Sequence, residues 1–217
     1  MLQKQWEKEF KKKGIPSSYK EEPSQSALWF AEHLSKHPKG SMLDIGCGKG
    51  RNSFFFHERG YRVSCIDFVG DNISHIKRAN PKIDARRHDL ANPFPFADAE
   101  FDSAIDIFCF KHLVKEPARQ NYLSELKRIV KGTFLLSLAS VEDGFYGPLL
   151  QYSPSPEKRL IVDPFTGIPS ILYGKEDVLR LFEGFQLVAF NEKRNKGPMH
   201  GKEYDRCILS FIFQKVY

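Results

Sequence analysis

The sequence predicts an α/β fold, a doubly wound and mostly parallel sheet with helices on both faces. Three observations lead to it. Residues 41–50 read Ser-Met-Leu-Asp-Ile-Gly-Cys-Gly-Lys-Gly and run into Arg51-Asn52-Ser53-Phe54-Phe55-Phe56. An apolar run that breaks into alternate glycines and then turns amphipathic has the pattern of a buried strand, a tight turn and a helix start. Strand-like and helix-like segments then alternate as far as Ser140, which specifies parallel strands joined by crossover helices. Finally, two strand-like runs close the chain, 185–191 and 205–215. Their connection is too short for a crossover helix, so they must pair antiparallel.

Each element has its own local reason. Residues 1–22 mix Trp6, Phe10 and Tyr19 with six lysines, and Pro16 interrupts any helix, predicting a short helix and then an extended arm. Ser24 can cap a helix whose one face carries Ala27, Leu28, Ala31 and Leu34, stopped at Pro38 and Gly40. After the glycine turn, a helix runs to near Gly60 and Tyr61–Asp67 alternates as a second strand. A helix over 71–79 and a third strand over 83–88 follow, then a loop rich in proline and phenylalanine, and a fourth strand ending at Asp106. Pro117 suits the first turn of a helix with Tyr122, Leu123, Leu126, Ile129 and Val130 inward, which Lys131-Gly132 should end before a fifth strand at 133–140. Residues 141–174 hold five prolines and four glycines without periodicity, the signature of a lid or binding loop. A last helix spans 175–183. The expected organisation is an arm over 1–23 and one domain over 24–217, with the lid-like insertion at 141–174.

Composition narrows the function classes. The length of 217 residues suits one α/β domain. A net charge of +6 permits nucleic-acid binding but is also an ordinary route to solubility. Cys47, Cys65, Cys109 and Cys207 are far apart and form no Cys-x-x-Cys pair, so neither a metal site nor a disulfide framework is indicated. No apolar run approaches the roughly 18 residues of a membrane span, and the N-terminus is too charged for a signal peptide. A soluble, cytoplasmic monomer or homodimer is expected.

Asp44 gives the glycine turn its chemical sense. A carboxylate at the end of a buried strand is costly without a partner, would repel a diphosphate and would welcome a cation. Asp44–Gly50 resembles the first motif of class I S-adenosyl-L-methionine (SAM)-dependent methyltransferases: an acid, one residue, then Gly-x-Gly-x-Gly. The resemblance implies a seven-stranded sheet of order 3-2-1-4-5-7-6 with an antiparallel last strand, SAM as cofactor and S-adenosyl-L-homocysteine (SAH) as product. It assigns Asp44, Gly46, Cys47, Gly48 and Asn52 to the cofactor, Cys47 as a small residue filling a tight corner. Asp67 stands close to the roughly 20-residue spacing from the turn at which such units present an acid to ribose, and the resemblance gives it that role, with Phe68 beside the adenine. Asp89 and Leu90 would meet the adenine edge, and Asp106 and Ile107 the end of the fourth strand.

Acceptor residues follow from the same resemblance. Trp6 and Tyr19 belong to an arm expected to close over the site, and Phe108, Tyr146 and Tyr152 to its walls, with Phe145 and Phe165 as further lid aromatics. The segment 106–112 lacks the prolines of enzymes that methylate adenine bases, and Cys109 lacks the proline that precedes the nucleophile of cytosine-5 enzymes. The Gly50–Ser53 stretch and the 193–202 loop are similar to the tellurite-resistance branch of small-molecule methyltransferases. His112 and His200 are the candidate general bases, needed only where the acceptor must lose a proton. The resulting expectation is methyl transfer to a small-molecule acceptor, with no membrane partner. An RNA or protein acceptor docked on the basic arm and the 193–202 loop is the alternative, and a non-catalytic SAM-binding protein a third reading.

Overall fold

A computed structural model describes residues 2–216. In chain order its helices are α1 (Leu2–Lys12), α2 (Pro16–Tyr19), α3 (Gln25–Leu34), α4 (Arg51–Glu58), α5 (Gly70–Ala79), α6 (Glu116–Ile129) and α7 (Lys175–Leu181). Its strands are β1 (Ser41–Ile45), β2 (Arg62–Asp67), β3 (Asp84–Arg87), β4 (Phe101–Ile107), β5 (Val130–Ala139), β6 (Leu160–Val162), β7 (Pro169–Ile171), β8 (Phe185–Met199) and β9 (Lys202–Lys215). Seven of them form one sheet in the order β3-β2-β1-β4-β5-β9-β8, and β6 and β7 form a separate pair. The first five strands are parallel, while β9 is antiparallel to both β5 and β8. This is the expected 3-2-1-4-5-7-6 order, with β9 in the place of the seventh strand.

The sheet is buried on both faces because its strands alternate between two cores. Met42 of β1 packs with Phe30 of α3, Phe56 of α4 and Ile76 of α5. Leu43 and Ile45 point the other way, towards Leu126 of α6 and Phe182. Burying both faces of β1 leaves only its carboxyl end for polar groups, and Asp44 and the glycine turn stand there. Ser24 caps α3, its hydroxyl accepting from Ala27 N at 3.1 Å. A third apolar cluster joins Ile15, Phe145, Tyr146, Ile168 and Met199, with Trp6 against it; it ties the N-terminal segment to the 141–174 region and the tip of the last hairpin.

Four expectations are corrected. Pro16 does not begin an extended arm but occupies the first turn of α2, where its missing N–H costs nothing. Gly132 does not cap α6, which ends at Ile129 and passes directly into β5. A Cβ at Gly132 would overlap the backbone of Asp102, beside the register shift between Phe101 and Ser103, so glycine serves a close strand approach there. Residues 193–202 are mostly not a loop: β8 and β9 continue to a two-residue turn at His200 and Gly201, with φ of 48° and 78°, the left-handed pair that tight hairpins favour. The 141–174 region contains the β6–β7 pair and two short 3₁₀ turns.

Candidate active site

The carboxyl ends of β1, β2 and β4 bring three carboxylates together. Asp44 is 2 % exposed and accepts from Ser53 Oγ of α4 at 2.6 Å. Asp67 accepts from Gly48 N at 2.9 Å and from Val69 N at 2.8 Å, and so staples the glycine turn to the end of β2. Asp106 accepts from Cys109 N, Phe110 N and Tyr122 Oη at 2.9, 3.1 and 2.9 Å. None of the three makes an ion pair among the described residues. Burial raises Asp44 to about 7, against the Ser53 hydrogen bond, with Asp106 and Asp67 adding repulsion. Burial likewise raises Asp67 and Asp106 to about 6, against the hydrogen bonds each accepts. Three buried acids that make no ion pair among the described residues, with Arg51 the least of the influences on Asp44, make this a place where a cation is stabilised.

The turn itself is shaped by close approach. Gly46 has φ +70°, and a Cβ on it would overlap the Cys109 side chain. Gly48 has φ +56°, with only the Phe10 ring at 3.4 Å from such a Cβ. The thiols of Cys47 and Cys109 are both held well above their ordinary pKa by burial and the neighbouring acids, which leaves them as packed, un-ionised groups rather than nucleophiles.

Two adjoining cavities meet here. The first is lined by Asp44, Gly46, Cys47, Gly48, Asn52, Asp67, Phe68, Asp89, Leu90 and Ile107, with Trp6 and Phe108. The second, about 550 Å³, lies between the N-terminal segment, α3 and the β8–β9 hairpin, and Tyr146 lines it. Trp6, Ser17, Lys20, Arg51, Phe108 and His112 border both. Phe108 is held at φ +70°, a strained position for an aromatic residue. The hydrogen bond of its amide to Ser137 O (2.8 Å) and the Asp106-anchored turn behind it fix this conformation. His112 follows in the same turn. Its Nδ1 lies 2.9 Å from Pro169 O and 3.0 Å from Ser170 Oγ, and Trp6 stands edge-on to its ring at 5.1 Å. Burial, with Lys111 next to it, lowers His112 to about 3. The neutral ring donates from Nδ1 to the Pro169 carbonyl, so Nε2 is the nitrogen with a lone pair to offer.

The structure brings together most of the residues expected from sequence, but not all. Asp106 lies behind the cavity wall, fully buried, and orders the turn that presents Phe108 and His112. Asn52 borders the first cavity, yet its side-chain carbonyl accepts from Ser24 N at 2.9 Å and docks α3 on the glycine turn. Asp89 lines the cavity while its Oδ1 also accepts from Ala91 N. Tyr19 borders neither cavity; Ser17 of α2 and Lys20, the residue that caps it, line both instead, because positions three apart share one side of a helical turn. Tyr152 is 77 % exposed and borders neither cavity. His200 is also outside both: its Nε2 contacts Asp163 Oδ2 at 2.8 Å in a buried pair, under Phe165, whose ring stacks on it at 4.5 Å. Phe145 packs against the same ring. These three build the clasp at the hairpin tip. Sequence reasoning missed Lys111 and Arg206, which line the second cavity from distant segments; a lysine directly after the apolar run Phe108-Cys109-Phe110 was the available signal.

The sheet order, with its antiparallel last strand, is that of the class I SAM-dependent methyltransferase fold. SAM carries a sulfonium and an ammonium, and the unpaired buried acids beside a turn open to close approach fit it. Residues 42–133 match the family model of a methyltransferase domain. The chain is 27 % identical, over 85 % of its own length and 74 % of the relative's, to a probable S-adenosylmethionine-dependent methyltransferase of Mycolicibacterium smegmatis. Its other curated relatives are spanned over only 31 to 45 % of their lengths. Its fold is similar to that of 1,6-didemethyltoxoflavin-N1-methyltransferase from Burkholderia thailandensis, with TM-score 0.70, 17 % identity and coverage of 100 % of this chain and 88 % of the other. It is also similar to TehB from Haemophilus influenzae, with TM-score 0.64, 17 % identity and coverage of 89 % and 63 %. No helix among the described residues is long and apolar enough to cross a membrane.

Proposed function

We propose that the chain transfers a methyl group from SAM to a small-molecule acceptor enclosed in the second cavity. The observation that carries this reading is the junction of the two cavities at Phe108 and His112, covered by Trp6 of α1. A cavity of about 550 Å³ admits a compact molecule and little of a polymer.

Asp44 and Asp67 would hold the cofactor, Asp44 through the cationic end and Asp67 through the ribose hydroxyls, with Phe68, Asp89 and Leu90 at the adenine. When bound, SAM supplies an electrophilic methyl on a sulfonium, with a neutral thioether as leaving group. Alignment and exclusion of water are then the protein's main tasks. Phe108, locked by its backbone, fixes the floor between donor and acceptor. The arm of residues 1–23 acts as the cover and the 141–174 segment as a wall of the acceptor site through Tyr146. His112, held neutral with Nδ1 donating to Pro169 and its pKa lowered to about 3, is too weak a base to keep a proton; its Nε2 lone pair instead accepts a hydrogen bond that orients a donor group of the methyl acceptor. His200 has no part in the chemistry.

The test is SAH formation with a panel of small acceptors. His112→Ala, which removes the Nε2 acceptor, is expected to lower turnover of an acceptor that donates a hydrogen bond to it about tenfold with SAH affinity unchanged. Equal turnover in the variant would remove His112 from the mechanism, and turnover confined to RNA or protein substrates would overturn the small-molecule reading.

A further inference from the structure

We propose that the second cavity selects acceptors bearing an anionic oxygen group, a carboxylate foremost, which Lys111 and Arg206 hold. The inference rests on the methyltransferase reading for the word acceptor, but its physical basis is independent of the cofactor site.

Lys111 sits in the short turn between Phe108 and His112 and is 2 % exposed. Its ammonium lies 3.8 Å from the centre of the Tyr146 ring and makes no ion pair among the described residues. The two acids that act on it, Asp143 and Asp163, are already committed. Asp143 accepts from Phe145 N and Tyr146 N on one oxygen, and from Cys207 N and Arg206 Nε on the other. Asp163 accepts from Phe165 N and Thr166 N and is paired with His200. Arg206 is held at Nε by Asp143 at 2.8 Å, and its guanidinium stands 5.6 Å from the same Tyr146 ring centre. That contact leaves the outer nitrogens to the cavity. A buried ammonium without an ion-pair partner, next to a mostly buried guanidinium on the same aromatic ring, is costly unless an anion joins them. Burial first, and Arg206 second, accordingly push Lys111 down to about 7. An oxyanion between them removes that cost and accepts charge-assisted hydrogen bonds from both.

The rest of the wall agrees. Lys20, Arg51 and Lys193 line the cavity against the two acids Glu22 and Glu32, so the field inside favours an anion. Trp6, Trp29 and Phe108 supply flat apolar surface. The occupant is therefore a compact molecule with an aromatic or apolar body and one anionic end.

Both tryptophans of the chain line this cavity, so their fluorescence reports binding. The protein, alone and saturated with SAH, is titrated with benzoate, phenyl phosphate and the neutral isostere benzamide. Benzoate is expected to bind at least tenfold more tightly than benzamide. Lys111→Met, which keeps the length and removes the charge, is expected to abolish that preference while SAH affinity, measured in parallel, stays within twofold and reports an intact fold. Tighter binding of phenyl phosphate than of benzoate would support the anion site and assign it to phosphate esters. Equal binding of benzoate and benzamide, no binding of either anion, or a preference that survives in both Lys111→Met and Lys111→Gln, would overturn the proposal. Failure of SAH to bind while the benzoate preference holds would count against the methyltransferase reading and leave the anion site standing.

Discussion

Replacing Asp44 by asparagine should make the ligand-free protein more stable and a poorer binder of SAM. The carboxyl rises from its ordinary 3.8 to about 7 through burial. At about 1.4 kcal/mol for each decade of proton affinity, the ionised form costs at most about 4 kcal/mol of folding stability. The sign follows from proton counts: between pH 3.8 and about 7 the folded chain holds a proton here that the unfolded chain has released. Stability from this group therefore falls as pH rises through that window; the penalty is complete above about 7 and absent below 3.8. Asparagine keeps the shape, and its carbonyl can still accept from the Ser53 hydroxyl. Urea unfolding of both proteins without ligand should show Asp44→Asn ahead by about 2 to 4 kcal/mol at pH 8, with the gap closing towards pH 4. SAM affinity should fall at least tenfold in the same variant. An Asp44→Asn protein no more stable than wild type at pH 8, or one whose gain is the same at both pH values, would refute the reasoning.

Two further perturbations separate structure from chemistry. His200→Ala removes a buried contact with Asp163 and should destabilise the protein by about 2 kcal/mol in urea titrations, while SAH affinity stays within twofold; a large loss of affinity would return His200 to the site. Glu9, 1 % exposed, accepts from Ile15 N and Ser18 Oγ and so holds α1 against α2. Glu9→Ala leaves the Ile15 amide unpaired, while Ser18 Oγ keeps its bond to Ile15 O, and mass-resolved limited proteolysis should show cleavage within the first 23 residues several-fold faster than in wild type, with the main unfolding transition little changed. Unchanged cleavage would mean that the apolar cluster around Ile15 and Trp6, not Glu9, holds the arm.

What was legible in the sequence was local. The acid-glycine turn, the Ser24 cap and the alternation of strands and helices each depend on residues within a few positions of one another, and each was found where the pattern put it. Asp67 and Asp106 show the limit. Both are acids at strand ends, but Tyr122 of α6 reaches over the sheet to Asp106, and no spacing within the chain reveals that partner. The outer part of the last hairpin was read as a loop because 191–196 is exposed and polar, so the strand there has no buried face to impose an alternating pattern. His200 sits at a turn for its backbone, in the left-handed region next to Gly201, and its ring is occupied by Asp163 from a segment that sequence presents as irregular. Lys111 and Arg206 converge only because β9 returns to lie beside β5. Their juxtaposition belongs to the topology, and neither residue's neighbours announce it.

The most direct measurement is calorimetric titration of the purified protein with SAM and with SAH, repeated on Asp67→Ala. Both compounds should bind the wild type, and the substitution should weaken SAH by a factor of ten or more, about 1.4 kcal/mol, because it removes the carboxylate proposed to accept from the ribose and the staple on Gly48. Failure of the wild type to bind either compound would contradict the assignment of this site to SAM.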